Sequence, residues 1–269
     1  MPELPEVETV ARQLAPFLRG RRVRRFRIHD ALLRVGRIPA VSDREIVDVT
    51  RSGKRVLFEM SERKGSGPLW LAVHLRMTGR LLYEEEGSGP VDHLRASFTL
   101  DRGRLLFADT RRFGTFHWYT SADDAAPEGV EPLSDALTPA VYADLLGKST
   151  TPLKPWLLRQ DRLVGLGNIY ASEILHSAKL SPFRPAGSLD RNEVQRLHGA
   201  TRRILEKAIR ACGTTFSDFQ DARGVEGSFQ QYLAVYDRDG RPCRRCRTPI
   251  ERVVQQQRST YYCPQCTSA

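Results

Sequence analysis

Pro2 offers the most distinctive chemistry in this sequence. Removal of Met1 would leave the Pro2 nitrogen as a free secondary amine, and an α-amine has a pKa near ~7.7–8.0, so a useful fraction is unprotonated at neutral pH. Such an amine can attack a sugar carbon and form an iminium, while the carboxyls of Glu3 and Glu6 can transfer protons. The alternative is an ordinary helix start with acids on its first turn, which the residues alone favour.

Four of the five cysteines fall in the last 27 residues, where they form two Cys-x2-Cys pairs. Sixteen residues separate the pairs, a spacing that predicts one tetrahedral zinc ion bound by four thiolates. Because four thiolates leave no open position, this zinc is predicted to be structural. The ligands are Cys243, Cys246, Cys263 and Cys266.

The same region is rich in arginine, with seven arginines and three acids from Asp237 to Arg258. A rigid basic hairpin is suited to phosphate contact or to insertion into a nucleic-acid groove. Arg258 lies near the predicted hairpin tip, and its alternative role is that of an ordinary solvated charge. Cys212 stands apart from the four ligands and is interpreted as a small core residue.

A glycine-containing loop leads into a predicted helix near the middle of the chain. Gly165 and Gly167 would let the backbone approach a ligand closely, and Asn168 suits the N-cap position. The free N–H groups of such a helix start can bind an anion, which Lys154 could also reach. A capped helix without a ligand is the plainer alternative.

The overall charge points in the same direction as these two segments. The 269 residues carry a net charge of +10 and have a pI near 9.7, which suits a polyanionic partner. A basic enzyme without such a partner is the alternative. Hydrophobic residues make up 40% and the mean hydropathy is −0.43, and no apolar run approaches the ~18 residues of a membrane span, so a membrane protein is excluded. The N-terminus lacks signal-peptide features, which predicts a cytoplasmic location.

Hydrophobic periodicity divides the chain into a β-rich first part and a helical second part. Residues 4–18 predict a helix, and paired apolar runs around short turns predict antiparallel strands from 23 to about 119, as a sandwich or barrel. Residues 121–139 hold five acids, three prolines and no basic residue, which predicts an interdomain linker. The predicted domains are 1–120, a linker at 121–138, a helical domain at 139–229 and a zinc finger at 230–269.

Five segments, in chain order from Pro2 to the last cysteine, resemble the formamidopyrimidine-DNA glycosylase family. They are PELPEVET at 2–9, HLRMTG at 74–79, DTRRFG at 109–114, GLGNIYASE at 165–173, and the four-cysteine ribbon. Leu4 stands where the related endonuclease VIII proteins usually have glycine. The resemblance implies an α+β fold with two domains. The first is an antiparallel β-sandwich with an N-terminal helix, and the second is a helix–two-turn–helix bundle with a zinc-ribbon hairpin.

The resemblance also implies a bifunctional enzyme acting as a monomer on damaged double-stranded DNA, away from membranes. Pro2 would attack C1′ of an oxidised purine nucleotide such as 8-oxoguanine or a formamidopyrimidine, and Glu3 would protonate the sugar ring oxygen. The resulting iminium would then undergo β- and δ-elimination, which cuts the strand on both sides. The damaged nucleotide must leave the duplex for this chemistry to occur.

Individual residues match the positions to which this family assigns roles. Two match residues that act during elimination: Lys54 and Arg258. Four match residues that contact the DNA backbone: His93, Arg112, Lys154 and Asn168. Three match residues that fill the void left by the extruded nucleotide: Met77, Arg111 and Phe113. Residues 213–229 are predicted as a mobile loop, and 214–229 match the segment that closes over the damaged base.

Two alternatives remain open at this stage. An endonuclease VIII-like glycosylase would prefer oxidised pyrimidines, and lesion preference on defined duplexes would separate it from the first interpretation. A zinc-dependent DNA-binding protein without catalysis would have no use for a Pro2 amine or for the Glu3 carboxyl, and covalent trapping would exclude it.

Overall fold

The computed structural model describes residues 1–33, 35–85, 89–215 and 227–267. The chain forms two compact units. Unit 1 comprises Met1–Ala126 and Ala211–Gln230, and unit 2 comprises Pro127–Arg210 and Gln231–Ala269.

Unit 1 is built from an N-terminal helix and two antiparallel sheets. Its sheets have the strand orders β1-β6-β7-β5 and β2-β3-β4-β8, so the predicted antiparallel sandwich is confirmed. The elements are α1 (Leu4–Leu18), β1 (Val23–Ile28), β2 (Ile46–Ser52), β3 (Arg55–Met60), β4 (Leu69–His74), β5 (Gly79–Glu84), β6 (Leu94–Leu100), β7 (Arg104–Asp109), β8 (Thr115–Tyr119) and α2 (Ala122–Ala125).

The core of unit 1 joins α1 to both sheets. Helix α1 buries Val7, Leu14 and Leu18 completely, as its helical spacing predicts, and contacts β2 and β3. Phe107 of β7 and Phe116 of β8, which belong to different sheets, meet edge to face with ring centroids 5.0 Å apart. Full burial of a valine, leucine or phenylalanine side chain contributes about 1.5–3 kcal/mol. The packing of several such side chains therefore holds α1 against the sandwich.

In its described residues, unit 2 contains four α-helices and a two-stranded hairpin, which confirms the predicted helical region and zinc ribbon. Helix α5 packs against both α6 and β10. The elements are α3 (Pro139–Leu146), α4 (Leu153–Leu157), α5 (Asn168–Ala178), α6 (Arg191–Arg210), β9 (Glu251–Gln255) and β10 (Arg258–Tyr262). Two turns at residues 158–167 connect α4 to α5. A short 3₁₀ helix of unit 2 lies at Ala186–Ser188, and another, Phe229–Tyr232, begins in unit 1 and ends in unit 2.

Two segments differ from the domain boundaries expected from composition. The acidic stretch is not a free linker: α2 belongs to unit 1, while Val130 exchanges backbone hydrogen bonds with Arg162 and Val164 in unit 2. The residues after α6 belong to unit 1 because the Thr214 backbone N–H donates to the Glu6 carboxylate. Most of the predicted loop at 214–229 lies outside the described residues.

Within the described ranges, none of the helices has both the length and the apolar character that crossing a membrane requires.

Candidate active site and metal centre

The first turn of α1 is held by a reciprocal capping arrangement. The Glu3 side chain accepts from the Glu6 backbone N–H, and the Glu3 N–H donates to Glu6 Oε2 at 2.8 Å. The other Glu6 oxygen, Oε1, accepts from Thr214 N at 2.8 Å. Glu3 is only 3% exposed, and Pro2 is buried beside it. The residues predicted as nucleophile and acid therefore occupy a fixed helix start.

A groove of about 630 Å³ opens beside the N-terminal residue. Met77 and Phe113 are 41% and 48% exposed, so neither belongs to the core. The Arg111 guanidinium lies 4.7 Å from the centre of the Phe113 ring. The groove is lined by Met1, Leu32, Arg76, Met77, Arg111, Arg112, Phe113 and Thr115. The structure thus brings the three predicted void-filling residues to the same groove as the chain start.

Lys54 lies in a cluster of positively charged side chains beside His74, which was not among the residues predicted from the sequence. The lysine is largely buried and follows a tight turn at Gly53, whose φ is +58°. Burial is the main reason that the pKa of His74 is lowered to about 3, and the nearby charges of Arg76 and Lys54 contribute to the same shift. His74 is therefore neutral at pH 7, and its Nδ1 accepts from the Arg76 N–H at 3.0 Å. His74 could have been found from its position in the HLRMTG segment at 74–79, which is one of the five segments that resemble the family.

Arg112 and His93, predicted to contact the DNA backbone, are both exposed in unit 1. Both have left-handed backbone conformations, with φ of 59° and 58°. The Arg112 Nε donates to Asp30 Oδ2 at 2.6 Å, and Arg95 pairs with the same oxygen at 2.9 Å. Asp30 therefore orients the Arg112 side chain in the protein alone.

Lys154 is buried in unit 2, only 1% exposed, although the sequence suggested that it could reach a phosphate. Its ammonium donates to Asn168 Oδ1 at 2.6 Å, to the Ser259 carbonyl at 2.6 Å and to Thr260 Oγ1 at 2.9 Å. Because an ammonium can only donate, the amide oxygen of Asn168 must face it. The amide N–H groups of Asn168 are then directed away from the lysine.

The N-cap of α5 corrects one sequence-based assignment. Gly167 occupies the N-cap with φ −135° and ψ −162°, and Asn168 is the first helical residue. Glycine is also acceptable at an N-cap, so the asparagine side chain is available for the bond to Lys154.

A second, smaller groove of about 200 Å³ lies in unit 2. Lys154 and Arg258 line it together, and Arg258 is exposed at the start of β10. Gln256 and Gln257 form the β9–β10 turn with φ of 44° and 62°, as a two-residue hairpin turn requires. Three of the predicted DNA-contacting or elimination residues of unit 2 therefore lie close together: Lys154, Asn168 and Arg258.

The four cysteine sulfurs form a compact cluster with no disulfide among them. Their Sγ atoms all lie within 4.8 Å of one another. Cys243 and Cys266 are 3.9 Å apart, and Cys246 lies 3.4 Å from Cys263. Tetrahedral Zn–S bonds of about 2.3 Å imply S–S distances of about 3.8 Å, so the cluster fits a zinc ion. An ion held there would link the β9–β10 hairpin to the preceding turn.

Helix α5 supports this cluster through two side chains absent from the sequence predictions. Glu173 accepts backbone N–H groups from Ala234, Val235 and Tyr236, each at 2.9 Å. Burial raises the pKa of Glu173, and those three hydrogen bonds oppose the rise. The His176 Nε2 lies 3.5 Å from Cys243 Sγ. In the sequence, a glutamate among the apolar residues of a predicted helix is a weak sign of such a hydrogen-bonding role.

Comparison with known families gives three consecutive matches. Residues 1–116 match the formamidopyrimidine-DNA glycosylase N-terminal domain, and residues 129–220 match the H2TH domain of the same family. Residues 240–269 match the zinc finger found in FPG and IleRS.

A curated relative extends the match over nearly the whole chain. The formamidopyrimidine-DNA glycosylase of Symbiobacterium thermophilum is 43% identical over 277 residues, which cover 99% of this chain and 89% of the relative. The chain belongs to the formamidopyrimidine-DNA glycosylase family. It is accordingly a DNA glycosylase and AP lyase, and the two alternative functions are not favoured.

Solved structures of this family have the same fold. The MutM (Fpg) protein of Thermus thermophilus aligns with a TM-score of 0.87 and 40% identity, covering 99% of this chain and 98% of that one. An Fpg variant of Lactococcus lactis, solved with DNA containing Fapy-dG, aligns over 100% of both chains with a TM-score of 0.87 and 31% identity. The predicted α+β fold and the structural zinc of the family are confirmed.

Removal of the zinc ion is expected to lower DNA affinity by at least about 100-fold. In a small metal module the free energy of metal binding is largely folding free energy, so the hairpin that carries Arg258 should lose its structure without zinc. Fluorescence anisotropy with a labelled duplex, before chelation, after chelation and after zinc is restored, measures the effect.

Two serine substitutions provide the matched comparison for this test. Cys246→Ser should lose zinc and DNA affinity, while Cys212→Ser should keep one zinc per chain and normal affinity, because Cys212 lies outside the cluster. A verified zinc-free protein with unchanged affinity would contradict this role of the metal.

Proposed function

We propose that this enzyme excises oxidised purines from duplex DNA through a covalent intermediate on the Pro2 nitrogen. The observation that carries the proposal is the fixed helix start, where Pro2 and the buried Glu3 carboxyl directly follow Met1, which lines the same groove as Met77, Arg111 and Phe113. A relative solved with Fapy-dG in its DNA supports the substrate class. The Lactococcus lactis Fpg has also been solved with DNA that contains an oxidised pyrimidine. Excision rates on oxidised purines and on oxidised pyrimidines should therefore be compared.

The first stage replaces the bond from sugar to base with a bond to Pro2. After Met1 is removed, the lone pair of Pro2 attacks C1′, and the bond between C1′ and the base nitrogen breaks with its electrons going to the base. The amine then loses its proton, and the departing base takes up one proton. Glu3 gives a proton to the ring oxygen as the C1′–O4′ bond opens, which leaves an iminium joined to Pro2.

The second stage cuts the strand. The iminium makes the C2′ proton acidic, and its loss expels the 3′ phosphate by β-elimination. A further proton loss expels the 5′ phosphate by δ-elimination, and water then releases the sugar fragment from Pro2. Lys54 and Arg258 are the cations assigned to these phosphates, because a positive charge stabilises the phosphate as it leaves.

DNA binding is assigned to charged and amide groups in both units. With its oxygen bonded to Lys154, Asn168 can offer amide N–H groups to a phosphate. Lys154 is therefore a positioning residue in this proposal rather than an exposed phosphate ligand. Arg112 and His93 would contact the backbone from unit 1. The net charge of +10 favours the association.

We assign the filling of the void left by the extruded nucleotide to the three groove residues. Met77 and Phe113 are exposed apolar side chains that can occupy the space inside the stack, and Arg111 can hydrogen-bond the orphaned base. We further propose that the enzyme works as a monomer on double-stranded DNA in the bacterial cytoplasm, with the nucleoid and away from membranes.

Borohydride trapping tests the proposal directly. Incubation with a duplex containing 8-oxoguanine and borohydride should reduce the iminium and give a stable adduct, with near-stoichiometric yield on Pro2. Peptide mass spectrometry locates the modified residue, and a duplex with normal guanine is the control. Absence of an adduct in the wild type would contradict the mechanism. So would Pro2→Gly protein that still traps through a lysine.

A further inference from the structure

The three void-filling residues lie on two separate loops of unit 1. Met77 is in the turn between β4 and β5, which is closed by a bond from Gly79 N to the Leu75 carbonyl at 2.9 Å. A side chain at Gly79 would lie 2.4 Å from that carbonyl oxygen, so the turn requires glycine. Arg111 and Phe113 lie between β7 and β8. For the three side chains to enter DNA together, the two loops must keep a fixed spacing.

Asp109, at the end of β7, lies between these loops and is only 1% exposed. Its Oδ1 accepts from the Thr78 hydroxyl at 2.5 Å and from Arg111 N at 3.2 Å. Its Oδ2 accepts from Gly114 N at 2.8 Å. One buried carboxylate therefore binds the residue after Met77 and both ends of the loop that carries Arg111 and Phe113.

Thr78 completes the connection from the other loop. Its hydroxyl donates its single proton to Asp109, and its oxygen accepts from Arg111 N at 3.0 Å. The adjacent strands reinforce this arrangement, since Gly79 of β5 is paired with Asp109 of β7. The direction of each hydrogen bond is thus fixed, because a carboxylate can only accept and a backbone N–H can only donate.

The packing around Gly114 leaves no room for a side chain at this position. A Cβ at Gly114 would lie 2.3 Å from Phe107 Cζ and 3.2 Å from Asp109 Oδ2. The backbone of this loop therefore lies directly against the Phe107 ring and the carboxylate. Loss of an acceptor here would leave a buried N–H without a hydrogen-bond partner, which destabilises this loop conformation.

We propose that Asp109 and Thr78 are positioning residues that hold the two inserting loops as one rigid wedge. This inference rests on the proposed function, since it assumes that Met77, Arg111 and Phe113 fill the void in the duplex. A displacement near 1 Å of a positioning group can cost about 10²-fold in rate. The wedge is needed only where a base pair must be opened and its orphan stabilised. Single-stranded DNA that already has an abasic site has no such requirement.

The test compares two substrates in Asp109→Asn and Thr78→Val. With duplex 8-oxoguanine opposite cytosine, kcat/KM should fall by about 10–100-fold in each variant. Cleavage of a single-stranded abasic oligonucleotide should stay within about twofold of wild type.

Conservative and remote variants separate positioning from general stability. Thr78→Ser keeps the hydroxyl and should keep duplex activity. Asp101→Asn is the matched control, because the Asp101 carboxylate also accepts backbone N–H groups, from Arg22 and Arg102, but at a hairpin turn that does not line the groove. It should cut both substrates like wild type. If Asp109→Asn fails to fold, the pair Thr78→Val and Thr78→Ser still gives the comparison.

Equal losses on both substrates would overturn the inference, since they would show a merely structural role. Unchanged duplex activity in Thr78→Val would overturn it as well. A failure of the proposed function gives a different result, because the wild type would then form no Pro2 adduct and would not cut the abasic strand. Fluorescence of 2-aminopurine opposite the lesion reports insertion independently, and its rise on binding should be reduced in both variants.

Discussion

Enzyme that retains Met1 is expected to lose base excision and strand cleavage by about 10⁴-fold or more, the scale on which removal of a nucleophile acts in covalent enzymes. While Met1 is attached, the Pro2 nitrogen belongs to an amide, whose lone pair is delocalised into the carbonyl. Met1 also lines the groove in which the chemistry is proposed, so it would obstruct the sugar as well. DNA affinity should fall much less, because the cations of unit 2 are unaffected.

The measurement compares the same protein with and without Met1. Protein produced while methionine aminopeptidase is inhibited should begin with Met1, and treatment of that protein with purified aminopeptidase should restore activity. Intact mass shows the fraction processed, and excision should rise in proportion to it. A chain shown to be fully unprocessed, or acetylated at its first residue, that still cleaves at damaged guanine would exclude Pro2 as nucleophile.

Much of the fold could be predicted because its signals are local. Helical spacing of Val7, Leu14 and Leu18 marks α1, and alternation around short turns marks the paired strands. The zinc cluster was equally accessible, since two Cys-x2-Cys turns can hold one ion wherever the chain places them. The linker predicted at 121–138 was inferred from its acidic composition alone. Asp123, Asp124, Glu128 and Asp135 are exposed there, but backbone hydrogen bonds at Val130 tie the second half of the stretch to unit 2.

What the sequence could not give are partnerships between distant residues. Lys154 contacts Ser259 and Thr260, which lie 105 and 106 positions away, so its burial could not be read from its neighbours. Thr78 and Asp109 are 31 residues apart and meet only because β5 pairs with β7. Such groups carry no distinctive local pattern. Their function follows from the side chains that they hold in place.

Glu3→Gln is expected to lower base excision by about 10²–10⁴-fold, the usual contribution of a general acid. The substitution removes the proton that Glu3 is proposed to give to the sugar ring oxygen. Glutamine retains an oxygen that can accept from the Glu6 N–H, so the helix start should be preserved. Single-turnover excision of 8-oxoguanine gives the rate, and anisotropy with the same duplex should give an affinity close to that of wild type.

Two comparisons decide whether Glu3 acts as an acid or only as a cap. Glu8→Gln, on the same helix, removes a carboxylate that pairs with Arg12 and Arg51, and it should change the excision rate by less than about threefold. A preformed abasic site can open its sugar ring without enzyme, so Glu3→Gln should retain more lyase activity on that substrate than excision activity on 8-oxoguanine. If DNA binding were lost together with both activities, Glu3 would be a structural residue, and the proton for ring opening would have to come from another group.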